Sequence, residues 1–455
     1  MPSKLDDLQA DAVRFGLAKR LWGLLFEMGL GKTKTAIDWL KAGKFKRTLI
    51  IGRFDDLATW EDELALHSNF EHFNVCAKKK RDWRAMALCL AVEAEYPIIL
   101  ITYDAIKQLK PIIMGIDWDA VVADELTEIK HDTKRTQAVL DCTRAIPNRL
   151  GLTGTMVTNS PLDVFFQMKF IDGGRALGDN WYQFRSRFFW PEPGGHRWHI
   201  FSDKLKTLNK LIYTRCVRAR KVDVLDLPPK VYLKRMCSLT AEQKAVYDRA
   251  RDDFELELKS GEILEMQYVI QQFTKLLQIT DGFYYTDDGP VDLPSGKLDQ
   301  LRYMLDLHEF RQTKKIVIWG AFNHELELIR DLAIELGYHG VMFWKYTKDR
   351  KATRIQFRDD PKCQLFIGQA ASGIGMNELK VSDTVFYYSR SLKLIHRLQS
   401  EDRTHRKGSE IHDSIRYIDM LVPKTADEKV YRMLRKHKDV ADAIIDGKSL
   451  ADMLQ

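Results

Sequence analysis

The sequence has few cysteines and no pairing pattern for them. Six cysteines stand at positions 76, 89, 142, 216, 237 and 363, and no two form a Cys-x-x-Cys pair. This spacing argues against a zinc ribbon and against a disulfide framework. A chain of this kind is typical of a reducing compartment.

Long apolar runs, low-complexity tracts and short tandem repeats are also absent. No apolar run approaches the ~18–20 residues that a membrane span needs. The first residues, MPSKLDDLQADAV, carry charges where a signal peptide has an apolar core. We therefore expect a cytoplasmic protein with no membrane partner.

A large charge excess of one sign is missing as well. Lys and Arg number 71 and Asp and Glu number 64, which leaves a net charge of +7. This mild excess permits a polyanionic partner without demanding one. The chain has 455 residues, of which 45% are apolar. At roughly 100–200 residues per domain, that length predicts two to four globular domains.

Short apolar runs alternate with helix-length segments in both halves of the chain. Near-continuous apolar strands spaced by helices predict parallel sheets covered on both faces. The fold class is therefore α/β, with two doubly wound parallel-sheet lobes in tandem. The predicted strands are LWGLLF, TLIIG, PIILITY, AVVAD and RLGLTGT in the first half, and KIVIWG, HGVMFW, QLFIGQ, TVFYYS and RYIDMLV in the second.

The segment between the two halves has a different composition. Residues 160–225 are rich in Trp, Phe and Arg, and residues 240–280 have apolar residues at helical spacing. The LPPK segment at 227–230 interrupts any helix. We predict a first lobe at 1–225 with a helical insertion at about 160–215, a linker and helical insertion at 226–295, and a second lobe at 296–455.

A glycine-rich turn connects the first predicted strand to a helix. Gly29, Gly31, Lys32 and Thr33 fit the end of the phosphate-loop pattern, although Phe26 stands at its first glycine position. Such a loop wraps phosphates with backbone N–H groups, and its lysine reaches the β- and γ-phosphates. The alternative is an ordinary glycine turn before a helix.

Polar residues follow two further strands of the first half. Asp124 and Glu125 end the strand AVVAD, where one acid can hold Mg²⁺ and the other can activate water. Taken alone, such a pair is more often solvated or caps a helix. Thr153 and Thr155 close the strand RLGLTGT and either link Glu125 to the cleft or form a plain strand exit.

The second half carries a pair of arginines and a glycine loop. Arg403 and Arg406 are three residues apart and share one face of a helix or turn. They fit the role of an arginine finger for a γ-phosphate, whereas the alternative is a basic surface helix. The loop ASGIGMNEL, with Asn377, is either a phosphate contact or a simple turn.

At this point the residues match a known family. The chain resembles the Swi/Snf-like branch of the superfamily-two helicase-type ATPases over nearly its whole length. In family order it carries ten segments that resemble the family's motifs: LQADAV, EMGLGKT, TWEDE with Trp60, ITYDAI with Thr102 and Tyr103, DELTEIKH, LTGTMVTN, RCVRARKVDVLDLPPK, SGKLDQLRYML, ASGIGMN and QSEDRTHRKG, besides a divergent WGAF.

The resemblance implies two RecA-like lobes and assigns roles by position. Lys32, Asp124, Glu125, Arg403 and Arg406 would be catalytic, and Thr33 and Asp124 would hold Mg²⁺. ATP would be bound by Gln9, Met28, Gly29, Leu30, Gly31, Lys32, Thr33, Gly375 and Gln399. Coupling and DNA contacts would fall to Trp60, Thr102, Tyr103, Thr153, Thr155, Gly373 and Asn377.

The same resemblance implies cofactors, partners and a setting. ATP and Mg²⁺ would be the cofactors, and duplex or branched DNA, bound without regard to sequence, would be the partner. Proteins of replication or recombination are further candidate partners, and the chain would act as a monomer. The compact form, without appended chromatin-reader, zinc or nuclease domains, resembles members from bacteria and bacterial viruses, in a bacterial or virus-infected host cytoplasm.

The sequence departs from the family pattern at several positions. Thr127 stands where the acid-pair motif usually has His, and Met156 stands in place of a usual proline. In the ASGIGMN segment, Ser372 stands where the family's motif has its first glycine, and Gln369 and Ala370 before it are atypical. The replacement at Thr127 affects the coupling role that the family gives to the usual His. The replacements at Met156 and Ser372 affect DNA contacts more than ATP hydrolysis.

Aromatic and basic residues interleave in the first insertion. Trp181, Phe184, Phe188 and Trp190 alternate with Arg185 and Arg187. Such residues either stack on bases or pack the insertion onto its lobe, and packing is the more frequent role.

Three functions remain open at this stage. The first is a DNA-dependent ATPase that translocates on duplex or branched DNA in replication, recombination or repair. The second is a helicase that separates the strands of DNA or RNA, and the third is an ATP-binding switch without motor activity.

Overall fold

The computed structural model describes most of the chain in two compact units. The described residues are 4–77, 81–157, 160–192, 198–259, 266–311, 315–343, 347, 349–370, 376 and 378–446. The first unit, here the first lobe, comprises residues 1–226 together with 437–455, and the second lobe comprises residues 227–436. None of the described helices is both long and apolar enough to cross a membrane.

The first lobe is built on a parallel sheet of seven strands in the order β3-β4-β2-β5-β6-β1-β9. The central strands are apolar and buried throughout, because helices cover both faces of the sheet. The strands of this lobe are β1 (Leu21–Phe26), β2 (Thr48–Gly52), β3 (His72–Asn74), β4 (Ile98–Thr102), β5 (Ala120–Ala123), β6 (Asn148–Leu152), β7 (Phe189–Pro191), β8 (Trp198–Ile200) and β9 (Cys216–Ala219).

Helices connect most of these strands, because parallel neighbours cannot be joined by a tight hairpin. Thr102 caps one of them by accepting a hydrogen bond from the backbone N–H of Ala105. The helices are α1 (Lys4–Lys19), α2 (Lys32–Gly43), α3 (Phe54–His67), α4 (Arg81–Glu93), α5 (Tyr103–Met114), α6 (Lys134–Thr143), α7 (Val164–Asp172), α8 (Trp181–Phe188), α9 (Leu205–Tyr213) and α10 (Lys221–Val224).

The predicted first insertion contains two kinds of structure. Helix α7 is almost entirely buried and packs against the sheet, so it belongs to the body of the lobe. The remainder consists of α8, the antiparallel β7–β8 pair and α9. Three short 3-10 helices also occur in this lobe, at Leu126–Ile129, Pro161–Asp163 and Ser202–Lys204.

The second lobe is built on a parallel sheet of six strands in the order β10-β17-β16-β13-β15-β14. A separate antiparallel hairpin joins β11 and β12. The strands are β10 (Lys230–Met236), β11 (Phe283–Thr286), β12 (Gly289–Asp292), β13 (Ile316–Gly320), β14 (Gly340–Phe343), β15 (Leu365–Gln369), β16 (Thr384–Tyr387) and β17 (Ile415–Leu421).

The helices of the second lobe cover its sheet, and some of them extend beyond it. Residues 226–295, expected as linker and insertion, contain the edge strand β10 besides two long helices. The helices are α11 (Ala241–Lys259), α12 (Met266–Asp281), α13 (Gly296–Asp306), α14 (His308–Arg311), α15 (Asn323–Glu335), α16 (Arg350–Asp359) and α17 (Leu394–Thr404), with a 3-10 helix at Glu378–Val381. The last helix, α18 (Ala426–Asp446), begins in the second lobe, and its residues from 437 onward belong to the first.

The predicted fold class is confirmed. Each lobe is a doubly wound α/β unit with a parallel sheet, as in RecA-like lobes, and all ten apolar runs chosen from the sequence contain strands. The remaining strands of the two parallel sheets, β3, β9 and β10, lie at sheet edges. Strand β3 is short, and β9 and β10 contain more polar residues, because an edge strand is not covered on all sides.

Candidate functional site

The glycine turn between β1 and α2 has the backbone of a phosphate loop. Gly29 and Gly31 have φ angles of 85° and 72°, in the left-handed region that favours glycine. A Cβ at Gly31 would also be too close to the Gln9 amide nitrogen and would clash with it. Lys32 begins α2, and its Nζ donates to the carbonyl oxygen of Phe26 at 3.0 Å.

Gln9 lies against this turn from the first helix. Its Nε2 donates to the carbonyl oxygen of Leu30 at 3.0 Å, and its Oε1 accepts from Nζ of Lys34 at 3.0 Å. The side chain is buried, although it is polar. The family resemblance assigns Gln9 to ATP binding, and the structure places its buried amide against the glycine turn.

The acid pair follows β5 at the same carboxyl edge of the sheet. Glu125 has a left-handed backbone, with φ of 54°, which is uncommon for a residue other than glycine. Its backbone N–H donates to Oδ1 of Asp124 at 2.9 Å. One Glu125 oxygen, Oε1, accepts a hydrogen bond from the Thr127 hydroxyl at 2.6 Å, and the Thr153 hydroxyl lies 3.4 Å from the same oxygen. Within the described part of the chain Oε2 accepts none, so it can take a proton from water.

Two aromatic residues from other elements hold Asp124. Nε1 of Trp60, on α3, donates to Oδ2 of Asp124 at 2.8 Å, and the hydroxyl of Tyr103 donates to its backbone oxygen at 2.8 Å. Trp60 and Tyr103 are buried, at 1% and 2% exposure. Both residues were predicted as coupling residues, and both contact the acid pair directly.

The electrostatics of this edge favour a bound cation. The pKa of the Asp124 carboxyl group is raised to about 6, and desolvation is the largest cause. The charges of Asp56 and Glu125 contribute to this rise, whereas the Trp60 hydrogen bond and the charge of Lys32 oppose it. Crowded carboxylates with a raised pKa are stabilised by a divalent cation.

The turn after β6 brings its predicted threonines to the same edge. Thr153 Oγ1 donates to the carbonyl oxygen of Thr155 at 2.7 Å, which stabilises the turn. A Cβ built on Gly154 would lie 3.8 Å from Nζ of Lys32. This turn therefore lies beside the loop lysine and, through Thr153, beside Glu125.

The donor set fits a magnesium nucleotide. Mg²⁺ is held in such sites by one or two side chains together with phosphate oxygens and water. Thr33, in the first turn of α2, and Asp124 can supply the protein ligands. The described residues contain no cluster of three or more His, Cys, Asp or Glu that would hold a metal ion without a nucleotide.

The second lobe places its predicted arginines at the end of one helix. Arg403 lies in the last turn of α17, and Arg406 lies in the turn that follows the helix. Arg403 and Gln399 are each 5% exposed, whereas Arg406 is half-buried. Gly373, Gly375 and Asn377 lie outside the described residues.

A buried network of ion pairs holds α17 in place. Glu401 accepts from Arg397 at 2.7 Å, from Lys230 at 3.1 Å and from the Tyr232 hydroxyl at 2.7 Å. Arg397 also donates to Asp419 at 2.6 Å. His405 contacts the carbonyl oxygen of Pro228 at 3.0 Å. The arginine helix is thus fixed to β10, β17 and the LPPK segment.

The network continues to the opposite end of the lobe. Arg390 donates to Asp419 at 3.1 Å and to Asp427 at 2.8 Å, and Lys297 contacts Asp427 at 3.0 Å and Asp281 at 2.7 Å. All five side chains are at most 3% exposed. Because the charges alternate, each buried cation has acids as neighbours.

Sequence reasoning missed several of these contributions. Thr127 was read as a departure, whereas its hydroxyl hydrogen-bonds the candidate water-activating acid. Lys34, Arg397 and Asp419 were not singled out. Arg397 lies on α17, six residues before Arg403, and neither it nor its partner Asp419 on β17 has a sequence signature.

Comparison with known proteins supports the same reading. Residues 16–282 match the family model of the SNF2-related domain. The chain is 24% identical over 501 residues to the CHD3-type chromatin-remodeling factor PICKLE of Arabidopsis thaliana, covering 98% of this chain and 34% of PICKLE. It is 23% identical over 445 residues to YwqA of Bacillus subtilis, covering 93% of this chain and 46% of YwqA.

A solved structure is also similar. The SWI2/SNF2 ATPase core of Sulfolobus solfataricus in complex with dsDNA matches with a TM-score of 0.44 at 22% identity, covering 99% of this chain and 94% of that one. The chain spans less than half the length of the two curated relatives. The family model covers more than half of the chain, and its matched region contains the loop lysine and the acid pair. The predicted family is confirmed: the chain belongs to the family of proteins with a SNF2-related domain.

Proposed function

We propose that this protein is an ATP-dependent DNA motor that hydrolyses ATP to move along, or remodel, duplex or branched DNA. The observation that carries the proposal is the convergence at one sheet edge of Lys32, the acid pair and the threonine turn. Membership of the SNF2-related family supports it independently. An ordinary glycine turn and a solvated acid pair would not require this set of hydrogen bonds.

The residues have separate tasks in the proposed reaction. The loop N–H groups and Lys32 bind the β- and γ-phosphates. Thr33 and Asp124 hold Mg²⁺, which neutralises charge on the phosphates. Glu125 orients the attacking water and accepts its proton, while Thr127 and Thr153 fix the carboxylate on its other oxygen.

Arg403 and Arg406 complete the reaction in this proposal. Each guanidinium group would stabilise negative charge on the same γ-phosphate in the transition state. Because these residues lie in a different lobe from Lys32, turnover would require the two lobes to act together. Repeated cycles would then advance the protein along a track.

The track is proposed to be held through its phosphates. A motor that moves along a strand must not depend on base sequence, so backbone contacts should dominate. Such binding weakens steeply as salt concentration rises. We further propose a role in replication, recombination or repair, as a monomer in a compact bacterial or viral setting.

Two alternatives differ from the motor in measurable ways. A strand-separating helicase would displace one strand of a simple fork, whereas a translocase would displace a triplex strand or move a branch without unwinding. A switch would bind ATP without sustained turnover. The residues needed for turnover, namely Lys32, Asp124, Glu125, Arg403 and Arg406, are all present, which favours an active enzyme.

One experiment separates these functions. ATP turnover is measured with blunt duplex, single-stranded, forked and four-way-junction DNA and with RNA, for the wild type, Lys32→Ala and the control Lys41→Ala on the exposed side of α2. The motor predicts turnover that duplex or branched DNA stimulates and that Lys32→Ala abolishes while Lys41→Ala does not. ATP turnover that does not change when nucleic acid is added would refute the motor proposal.

A further inference from the structure

The aromatic residues of the first insertion fall into two sets. Trp181, Phe184 and Phe188 pack into the lobe: the Trp181 ring lies 5.4 Å from that of Phe165, and Phe184 lies 5.1 Å from it. Phe184 and Phe188 are at most 1% exposed. For this set the packing interpretation is confirmed.

The second set is not used in packing. Tyr182 is 69% exposed and Trp190 is 42% exposed. Trp190 on β7 lies opposite His199 on β8, and the two rings contact each other with centroids 4.9 Å apart. Their neighbours in the hairpin, Phe189 and Ile200, are buried, so Trp190 and His199 occupy its outer face.

Two arginines of α8 lie beside rings of this segment, of which Tyr182 is exposed, Trp198 is half-buried and Phe188 is buried. The guanidinium group of Arg185 is 4.1 Å from the centre of the Trp198 ring and 5.4 Å from that of Tyr182. Arg187 lies 5.0 Å from the Phe188 ring. Within the described part of the chain neither arginine has a carboxylate partner. We call the set Tyr182, Arg185, Arg187, Trp190 and His199 the α8–hairpin surface; the half-buried Trp198 packs against the core of the lobe and is not part of it.

The surroundings of the α8–hairpin surface are basic. Residues 160–215 contain nine Lys or Arg and five Asp or Glu, a net charge of +4 within a chain whose total is +7. Lys206 and Lys210 are exposed four residues apart, on the same side of α9. Glu192 is an acidic neighbour of the surface, since its Oε1 lies 2.7 Å from Nε2 of His199.

We propose that the α8–hairpin surface binds unpaired bases of a single-stranded nucleic acid by stacking. Exposed aromatic rings interleaved with cations are the combination that holds single strands. Bases inside a duplex present only their edges, so these rings select unpaired segments such as the arm of a fork. The proposal rests on the proposed DNA motor. It adds a second nucleic-acid contact, which recognises unpaired bases, to the motor's contacts with the phosphate backbone.

A protein partner fits the surface less well. Protein interfaces bury an apolar centre from which charged side chains are depleted, whereas here the rings alternate with arginines. The Arg185 guanidinium group also lies beside the exposed Tyr182 ring, 5.4 Å from its centre, where a cation can contact a bound base or its phosphate. The surface therefore matches a ligand that is both planar and anionic.

Binding measurements on the full chain test the proposal. Fluorescence anisotropy compares the double variant Tyr182→Ala/Trp190→Ala with the wild type, using a labelled oligothymidylate, its RNA counterpart and a blunt DNA duplex. We expect the dissociation constant for the single strands to rise about 10- to 100-fold, on the scale of one stacked base. The constant for the duplex, and duplex-stimulated ATP turnover, should stay within twofold. The DNA and RNA arms show which single strand binds more tightly.

The control is Tyr303→Ala, which removes a ring that is 61% exposed on the second lobe, with no cation over it in the described part of the chain. It should leave all three constants unchanged. Equal weakening of single-strand and duplex binding by the double variant would overturn base stacking, and so would unchanged single-strand binding, which would assign the rings to a protein partner. If the wild type binds the oligonucleotide through these rings but shows no duplex-stimulated turnover, the motor proposal fails and the α8–hairpin surface stands.

Discussion

The indole N–H of Trp60 donates a hydrogen bond of 2.8 Å to Oδ2 of Asp124, although 64 residues separate them. Trp60 lies in the middle of α3, which follows β2, and Asp124 follows the neighbouring strand β5. A movement of α3 must therefore displace or release the carboxylate that we assign to Mg²⁺. Tyr103, at the start of α5, gives the same residue a second link through its backbone oxygen.

Trp60→Phe should lower ATP turnover about tenfold, because a hydrogen bond to a charged group contributes about 1.5–3 kcal/mol and the lower figure corresponds to a factor of ten in rate. The ring keeps most of its packing. Steady-state turnover with duplex DNA, measured over a range of Mg²⁺ concentrations, checks this.

Trp39→Phe is the matched control. Trp39 is as deeply buried as Trp60, but within the described residues its indole N–H makes no hydrogen bond. We expect near wild-type turnover from Trp39→Phe. Equal losses in the two variants would show that Trp60 acts through packing alone.

Thr127→Val should reduce turnover several-fold while leaving nucleotide affinity unchanged. The substitution keeps the shape of the side chain and removes the hydroxyl that donates to Oε1 of Glu125 at 2.6 Å. A neutral hydrogen bond contributes about 0.5–1.5 kcal/mol, and one to a carboxylate contributes more. Thr127→Ser, which keeps the hydroxyl, should restore turnover. If Thr127→Ser is as slow as Thr127→Val, the hydroxyl is not the relevant group.

Gly31→Ala should weaken nucleotide binding at least tenfold. The left-handed backbone at Gly31 costs about 1–2 kcal/mol for any other residue, and the new Cβ would strike the Gln9 amide. Isothermal titration with a non-hydrolysable ATP analogue measures the affinity. Gly115→Ala is the control, because Gly115 has φ of −88° and a new Cβ there meets nothing closer than 3.5 Å. A Gly31→Ala variant that binds as tightly as the control would contradict the assigned loop geometry.

Lys297→Met should destabilise the second lobe by about 3–5 kcal/mol, since removal of one partner leaves buried charges uncompensated. Lys297 is completely buried between Asp281 and Asp427. Urea unfolding, followed by circular dichroism, should show a lower midpoint for the transition of this lobe. Lys362→Met, at an exposed position of the same lobe, should leave the midpoint unchanged. A loss below 1 kcal/mol would mean that the two acids are satisfied in another way.

The sequence predicted the parts of the molecule whose physical cause is local. Apolar runs identified all nine interior strands of the two parallel sheets and the edge strand β14, and the left-handed turn at Gly29 and Gly31 is encoded by glycine itself. The edge strand β10, with the sequence KVYLKRM, was assigned to a linker segment because its side chains are mostly exposed and carry no continuous apolar run.

What the sequence did not reveal depends on contacts between distant residues. The bond between Thr127 and Glu125 follows from the unusual backbone of Glu125, which no spacing rule predicts. The ion pairs of Asp419 with Arg390 and Arg397 form only because β17 and α17 are neighbours in space. Charged residues of this kind are expected at the surface when only the sequence is known.

The central claim is that Lys32 and Arg406 act on the same triphosphate. The most direct test measures both ATP affinity and DNA-stimulated turnover for Arg406→Ala. We predict ATP affinity within a few-fold of wild type and turnover reduced about 10³-fold or more, which is the contribution of an arginine finger. Full turnover in Arg406→Ala would contradict the claim.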